Sequence, residues 1–197
     1  MNSLKSLADN ELVEMYSKGN DKAFDELLVR YQEKLYGYIF FIVRQTVLAE
    51  DLFQETFIKA ITTIRQGNYA ESGRFGAWLT RIAHNLIIDY FRQDKSDCVI
   101  SNDETEKDLF NDISLSDDDM ETKLVNKQVL SDIRRLINAL PAPQREVVYM
   151  RFYQDLSFRE IADITGISIN TALGRMRYAL INMRRLADEN GISLALA

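Results

Sequence analysis

The chain has 197 residues, of which 46% are hydrophobic and 27% charged; that is enough apolar material for one large or two small globular domains and too much for a disordered tail. Its 8 Gly and 2 Pro amount to about 5% of the residues against a usual level of roughly 12%, which argues against many short strands and tight turns and in favour of helices. Cys98, the single cysteine, cannot form an internal disulfide, and His84, the single histidine, cannot assemble an ordinary zinc site. The opening Met1-Asn2-Ser3-Leu4-Lys5 has no apolar signal core, and the longest strongly apolar run, Tyr38-Ile39-Phe40-Phe41-Ile42-Val43, falls far short of the roughly 20 residues that span a bilayer. The expectation is a cytoplasmic, non-enzymatic protein with no membrane insertion, no metal and no cofactor.

The formal net charge of −6 hides an uneven distribution. Residues 96–122 hold ten carboxylates against one lysine, in a Ser-, Asp- and Asn-rich text without sustained periodicity. Residues 61–95 and 123–197 are both net basic. This pattern predicts an all-α chain of two small helical domains, 1–95 and 123–197, joined by a flexible acidic linker over 96–122.

In the first domain, apolar periodicity predicts helices over 10–18, 22–44, 48–65 and 74–93, with Asp9 or Asn10 and Asp21 as N-caps. The third helix gathers Ala49, Phe53, Phe57, Ala60, Ile61 and Ile64 as a core stripe. Its other side carries Leu48, Asp51, Leu52, Glu55, Ile58 and Lys59. That mixture of carboxylates and aliphatics suits docking to another protein and is also compatible with an ordinary solvated face.

The fourth helix buries Phe75, Leu79, Ile82, Ala83, Leu86, Ile87 and Tyr90, and turns Arg74, Arg81, His84, Asn85, Arg92 and Lys95 outward, with Asp89 nearby. Trp78 lies at the border of the two stripes. There its ring either stacks on an unpaired base beside phosphate-neutralising arginines or closes the edge of the core. His84 is read as a surface residue with no proton-transfer role.

In the second domain, 124–140 reads as an amphipathic helix that stops at Pro141-Ala142-Pro143, followed by a helix over 144–153. Ser157-Phe158-Arg159-Glu160 is a capping box that opens a short helix, Gly166-Ile167-Ser168 a turn, and 169–187 a longer helix burying Ala172, Met176, Ala179, Leu180 and Met183. Helix, glycine turn and helix reproduce the helix-turn-helix layout. Opposite the buried stripe lie Asn170, Thr171, Gly174, Arg177, Tyr178 and Arg185, with Arg175 on the flank. Polar groups therefore come first, for base edges, and cations follow, for phosphates. Gly174 inside a helix costs about 1 kcal/mol relative to Ala, which points to a close approach of backbone to DNA or to another helix.

With these residues in place, the chain resembles over 9–187 a bacterial RNA polymerase sigma factor of the sigma-seventy class, in the extracytoplasmic-function group. Ala49-Glu50-Asp51-Leu52-Phe53-Gln54-Glu55-Thr56-Phe57 is similar to the segment of sigma domain 2 that binds the coiled coil of the polymerase β′ subunit. Phe75-Gly76-Ala77-Trp78-Leu79-Thr80-Arg81-Ile82-Ala83-His84-Asn85 resembles the segment that opens the minus-10 element and holds its non-template strand. By analogy the loop 66–73 receives a flipped-out base. Leu140-Pro141, Arg145-Glu146-Val147-Val148 and Ser157-Phe158-Arg159-Glu160-Ile161-Ala162 resemble sigma domain 4, whose recognition helix binds the minus-35 element and which touches the polymerase β flap.

The resemblance implies a four-helix-bundle domain 2 and a helix-turn-helix domain 4. It implies core polymerase contacts at Leu48, Asp51, Leu52, Gln54, Glu55, Ile58 and Lys59. For the minus-10 DNA it implies Tyr69, Arg74, Trp78, Arg81, His84, Asn85 and Arg92, and for the minus-35 DNA Ser168, Asn170, Thr171, Gly174, Arg175, Arg177 and Tyr178. Core RNA polymerase, promoter DNA and an anti-sigma factor are the implied partners. Leu173 and Gly174 depart from the common pattern of that family, so individual base contacts are not carried over. The rival reading is a helix-turn-helix regulator that dimerises through its first domain and acts without binding core polymerase.

Overall fold

Long apolar stripes on the helices of a Gly- and Pro-poor chain can be buried only by packing helix on helix, and the computed structural model, which describes residues 4–70, 74–94 and 132–192, is built in that way. The chain divides into two compact helical units, one on either side of the junction between Glu104 and Thr105. Residues 96–122, read as a linker, lie outside the described residues.

In the first unit a 3-10 turn (Leu4–Ser6) precedes α1 (Asp9–Ser17), α2 (Asp21–Val43), α3 (Thr46–Arg65) and α4 (Phe75–Asp94). Each of the last three packs on the other two, and α1 closes against α2 and α3. Leu12, Leu27, Leu35, Tyr38, Ile39, Phe75, Leu79 and Ile87 are almost wholly removed from water. An aromatic series runs through this core: Tyr16 to Phe24 at 4.8 Å, Phe24 to Phe57 at 6.1 Å, Phe57 to Phe53 at 5.0 Å and Phe53 to Tyr36 at 5.8 Å between ring centroids. Such tilted and edge-on pairs add to simple area burial.

The four predicted helices are present with ends shifted by no more than two residues, but their caps differ. Ala8 and Asn20, not Asp9 or Asn10 and Asp21, stand at the N-cap positions. Glu11 accepts a hydrogen bond from the Ala8 N–H at 2.8 Å and so satisfies that end of α1. Asp9 is engaged elsewhere: its carboxylate meets Arg30 at 2.8 Å and accepts from the Tyr31 hydroxyl. A long-range ion pair has displaced a local cap.

In the second unit, 132–138 is helical and is labelled α5; residues 124–131 of the predicted helix lie outside the described residues. α6 (Ala142–Phe152), α7 (Phe158–Thr165) and α8 (Ile169–Glu189) follow. α6 begins two residues before its predicted start, because Pro143 falls in the first turn, where a missing N–H breaks no helical bond. Ser157 caps α7 as predicted. Its Oγ accepts from the Glu160 N–H at 3.3 Å, and Glu160 Oε2 accepts from the Ser157 N–H at 2.8 Å. Gly166 then takes the left-handed conformation (φ 68°) that ends α7, and Ser168 caps α8 by accepting from the Thr171 N–H at 3.0 Å.

α8 packs on α6 and α7 through Ala172, Met176, Ala179 and Ala187, and Asn182 donates to Gln144 Oε1 at 2.8 Å. Leu180, expected in this stripe, is exposed instead. The stripe runs 172, 176, 179, 183, 187, and position 180 lies about 100° round the helix from 179, on the flank.

Removing the α7 cap by Ser157→Ala should cost about 1 kcal/mol and lower the thermal midpoint of the second unit by about 4–8 °C. Far-UV circular dichroism reads that shift, and the fluorescence of Trp78, which belongs to the first unit, should not follow it. A midpoint unchanged within error would show that the cap contributes nothing to stability.

Candidate functional site

Among the described residues, the sequence-predicted site residues fall on α3, on α4 with the loop before it, and on the start of α8. On α3, Ala49, Leu52, Thr56, Phe57, Ala60 and Ile64 point inward. Thr56 is tolerated there because its hydroxyl donates to the Leu52 carbonyl at 2.6 Å. Asp51, Gln54, Glu55, Ile58 and Lys59 remain on the outside, with Leu48 half-buried beside them. Ile58 is 61% exposed, and Lys59 pairs with Glu55 at 3.2 Å across one turn.

Leu52 is a correction: expected on this docking face, it is 5% exposed and belongs to the core. It lies three residues after Ala49 and four before Thr56, which is the spacing of the buried stripe. Val47, 73% exposed, is the residue that sequence reasoning missed. Positions 47, 51, 54 and 58 share one face, but a helix expected to start at 48 leaves Val47 outside it.

On α4, burial of Phe75, Leu79, Ala83, Leu86 and Ile87 leaves Arg74, Arg81, Asn85 and Arg92 exposed. The face is cationic as predicted, with Asp89 engaging Arg92 at 3.6 Å. His84 is the second correction. It is 8% exposed, shares a hydrogen bond of 3.0 Å with the Tyr38 hydroxyl of α2, and lies in the core instead of on the arginine face. Its neighbour Thr80, also buried, donates to the Gly76 carbonyl at 2.8 Å. Polar residues on the inner side of α4 thus carry their own partners.

Trp78 closes the edge of the core, the second of its two readings. Its ring packs edge-on against Tyr69 at 4.7 Å and tilted against Phe75 at 5.5 Å, and the residue stays half-exposed on the helix that carries Arg81 and Arg92. Tyr69, also half-buried, comes from the loop after α3. Residues 66–70 of that loop are described, with Gly67 at φ 71°; 71–73 lie outside the described residues.

On α8, Ser168, Asn170, Thr171, Arg177 and Tyr178 are exposed, and Gly174 and Arg175 are half-buried. Ser168 and Thr171 also share a hydrogen bond between hydroxyls at 2.8 Å, so they hold the helix end while facing outward. A Cβ on Gly174 would meet nothing within 4 Å. Helix packing therefore does not account for this glycine, and the surface before it is open. Leu173 is exposed next to it.

Comparison with known proteins matches both units to one family. A profile described as "Sigma-70 region 2" matches residues 27–96, and one described as "Sigma-70, region 4" matches 130–177. The chain belongs to the sigma-70 class of RNA polymerase sigma factors, in the extracytoplasmic-function group. It is 35% identical over 157 residues to the ECF RNA polymerase sigma factor BldN of Streptomyces coelicolor, covering 79% of this chain and 57% of that protein. It is 29% identical over 174 residues to the RNA polymerase sigma-H factor of Pseudomonas aeruginosa, covering 85% and 88%.

The fold of this sigma factor is also similar to that of two solved proteins. One is CnrH in complex with the cytosolic domain of CnrY, at a TM-score of 0.62 and 21% identity over 93% of this chain and 99% of that one. The other is the sigma factor RpoE of Bartonella quintana in complex with the anti-sigma factor NepR, at 0.61 and 24% over 85% and 98%. Among the described residues of this sigma factor, no helix is long and apolar enough to cross a membrane, and no group of three or more His, Cys, Asp or Glu side chains could hold a metal ion.

The burial of His84 separates it from its arginine neighbours experimentally. His84→Ala should destabilise the first unit by about 1–3 kcal/mol, because it leaves Tyr38 with a lost partner in the core, while the fraction that remains folded should bind single-stranded DNA like the parent. Arg81→Ala should leave the melting temperature within error and weaken that binding. Thermal melting combined with oligonucleotide titration distinguishes the two, and the reverse pattern would return His84 to the surface.

Proposed function

We propose that this sigma factor divides promoter-directed initiation among its three exposed faces. The α3 face, through Val47, Leu48, Asp51, Gln54, Glu55, Ile58 and Lys59, binds core RNA polymerase at the β′ coiled coil. The α4 face, through Arg74, Arg81, Asn85, Arg92, Trp78 and Tyr69, holds the non-template strand of the minus-10 element. The start of α8, through Ser168, Asn170, Thr171, Gly174, Arg175, Arg177 and Tyr178, reads the minus-35 duplex, and the second domain meets the β flap. Segments 1–95 and 123–197 act as the two binding domains and 96–122 as their connection.

The observation that carries this reading is that α4 combines a buried apolar stripe with an outer row of arginines and a half-exposed Trp78 that packs on Tyr69 of the preceding loop. Arginines attract any nucleic acid, duplex or single-stranded. An aromatic platform gains only when a base leaves its stack. The face therefore binds an opened strand more tightly than a closed duplex, and that difference in affinity shifts the promoter toward the open state. The polymerase carries out the phosphodiester chemistry; the sigma factor is non-catalytic and works in the cytoplasm. Since RpoE of Bartonella quintana has been solved with an anti-sigma factor, an anti-sigma factor is also the expected regulator of this chain.

Co-elution with bacterial core polymerase tests the reading. The intact chain should co-elute, and a variant with Asp51→Ala, Gln54→Ala and Glu55→Ala, three exposed positions, should lose affinity by at least about 2 kcal/mol, roughly thirtyfold, with unchanged thermal melting. An intact chain that fails to bind polymerase but forms dimers and binds duplex DNA by itself would establish the helix-turn-helix regulator instead.

A further inference from the structure

The first turn of α4 is held from behind by residues that none of the three faces uses. Arg30 of α2 gathers four acceptors: Asp9 at 2.8 Å, Glu26 at 3.2 Å, and the carbonyl oxygens of Leu4 at 3.2 Å and Lys5 at 3.0 Å. Arg30, Asp9 and Glu26 are all mostly shielded from solvent, where charge-assisted hydrogen bonds are worth more than on an open surface. The same Asp9 carboxylate accepts from the hydroxyl of Tyr31. Burial and the Asp9 charge push the Tyr31 phenol far above its ordinary range, so it stays protonated and remains a donor.

From this anchor the Tyr31 ring reaches across to α4. It lies 5.3 Å from the Phe75 ring and directly over Gly76, where a Cβ would come within 2.6 Å of Tyr31 Cε1. Gly76 has no positive φ to explain it, and glycine within a helix costs about 1 kcal/mol relative to Ala. The close approach of the Tyr31 ring is the feature of the structure that requires it. Phe75 next to it touches both Tyr69, at 6.1 Å, and Trp78, at 5.5 Å.

We propose that Asp9 and Tyr31 are positioning residues for promoter opening: pressed on Gly76, they set the first turn of α4 and thereby the pose of the Trp78–Tyr69 pair that receives the unpaired strand. The proposal rests on the strand-binding role assigned above to Trp78 and Tyr69. It adds that this pair is held in place by the N-terminal segment and α1, which touch neither DNA nor polymerase in that scheme. Gly76→Ala pushes the ring away and displaces the turn. Tyr31→Phe keeps the ring but releases it from Asp9.

The test uses holoenzyme assembled from the full chain and bacterial core polymerase, on a promoter fragment that wild-type holoenzyme selects from a randomised duplex library. A 2-aminopurine in the minus-10 non-template strand reports opening, and core affinity is measured in parallel. Gly76→Ala should slow opening about tenfold, inside the roughly hundredfold that a 1 Å misplacement can cost, and Tyr31→Phe by a smaller factor, with core affinity nearly unchanged for both. In a Tyr31→Ala background, which removes the ring, adding Gly76→Ala should cost nothing further, a non-additivity that distant, independent sites do not show.

Wild-type opening rates in Gly76→Ala and Tyr31→Phe would overturn the proposal, as would a loss of opening matched by an equal loss of core affinity. A wild-type holoenzyme that selects and opens no promoter would overturn the strand-binding reading itself, which the first two results leave standing.

Discussion

Burial of Phe75, Leu79, Ala83, Leu86 and Ile87 against α2 and α3 fixes how α4 is rotated about its own axis. The strand-binding face of the first unit depends on that rotation. With the apolar stripe inward, Arg74, Arg81, Asn85 and Arg92 have no choice but to face outward, and Trp78 is held at the seam. A rotation of one residue's worth, about 100°, would bury an arginine at a prohibitive cost and expose the core. The same constraint places Thr80 and His84 inside, where each has a hydrogen-bond partner, so that the buried side of α4 has no polar group left to water.

Magnitudes explain why an aromatic pair at that seam matters more than further charge. Separating a DNA base-pair step costs about 1.4 kcal/mol on average, and stacking a base on an aromatic side chain returns about 1–3 kcal/mol. One captured base is therefore comparable with the step that must be broken to release it. Arginine contacts to phosphate are available to duplex and single strand alike and weaken steeply with salt. In the function proposed here, charge brings the promoter to the helix and the Trp78–Tyr69 pair distinguishes open from closed. The rigidity of that pair then becomes a quantity worth controlling, which is the part played by Tyr31 against Gly76 with Asp9 and Arg30 behind them.

Much of this was legible in the residues, for a physical reason: amphipathic helices show their inner face through periodicity, and the four helices of the first unit, the capping box at Ser157–Glu160 and the glycine turn at Gly166 are all local signals. Residues on the boundary between inner and outer faces were harder. Leu180 sits at the flank of its stripe, where a leucine is compatible with either side, and Leu52 is flanked in sequence by Asp51 and by exposed Gln54 and Glu55, which mask its place in the buried row. Buried polar residues were harder still. His84 is in the core because Tyr38, 46 residues earlier, is there to meet it, and no spacing rule reveals a partner at that distance. For the same reason the position of Asp9 suggests a cap although its partners are Arg30 and Tyr31, and nothing near Gly76 in the sequence announces the tyrosine ring from α2 that requires it.

Trp78 is the single tryptophan of the chain, so one fluorine can report on the central claim. The chain would be labelled with 5-fluorotryptophan, assembled with unlabelled core polymerase, and its fluorine resonance followed by NMR on adding promoter DNA. A fork with an unpaired minus-10 non-template strand should shift the resonance, while the same sequence held as a closed duplex by a covalent interstrand crosslink should leave it where it was. An identical response to both, or to neither, would contradict the assignment of this aromatic pair as the element that tells open promoter from closed.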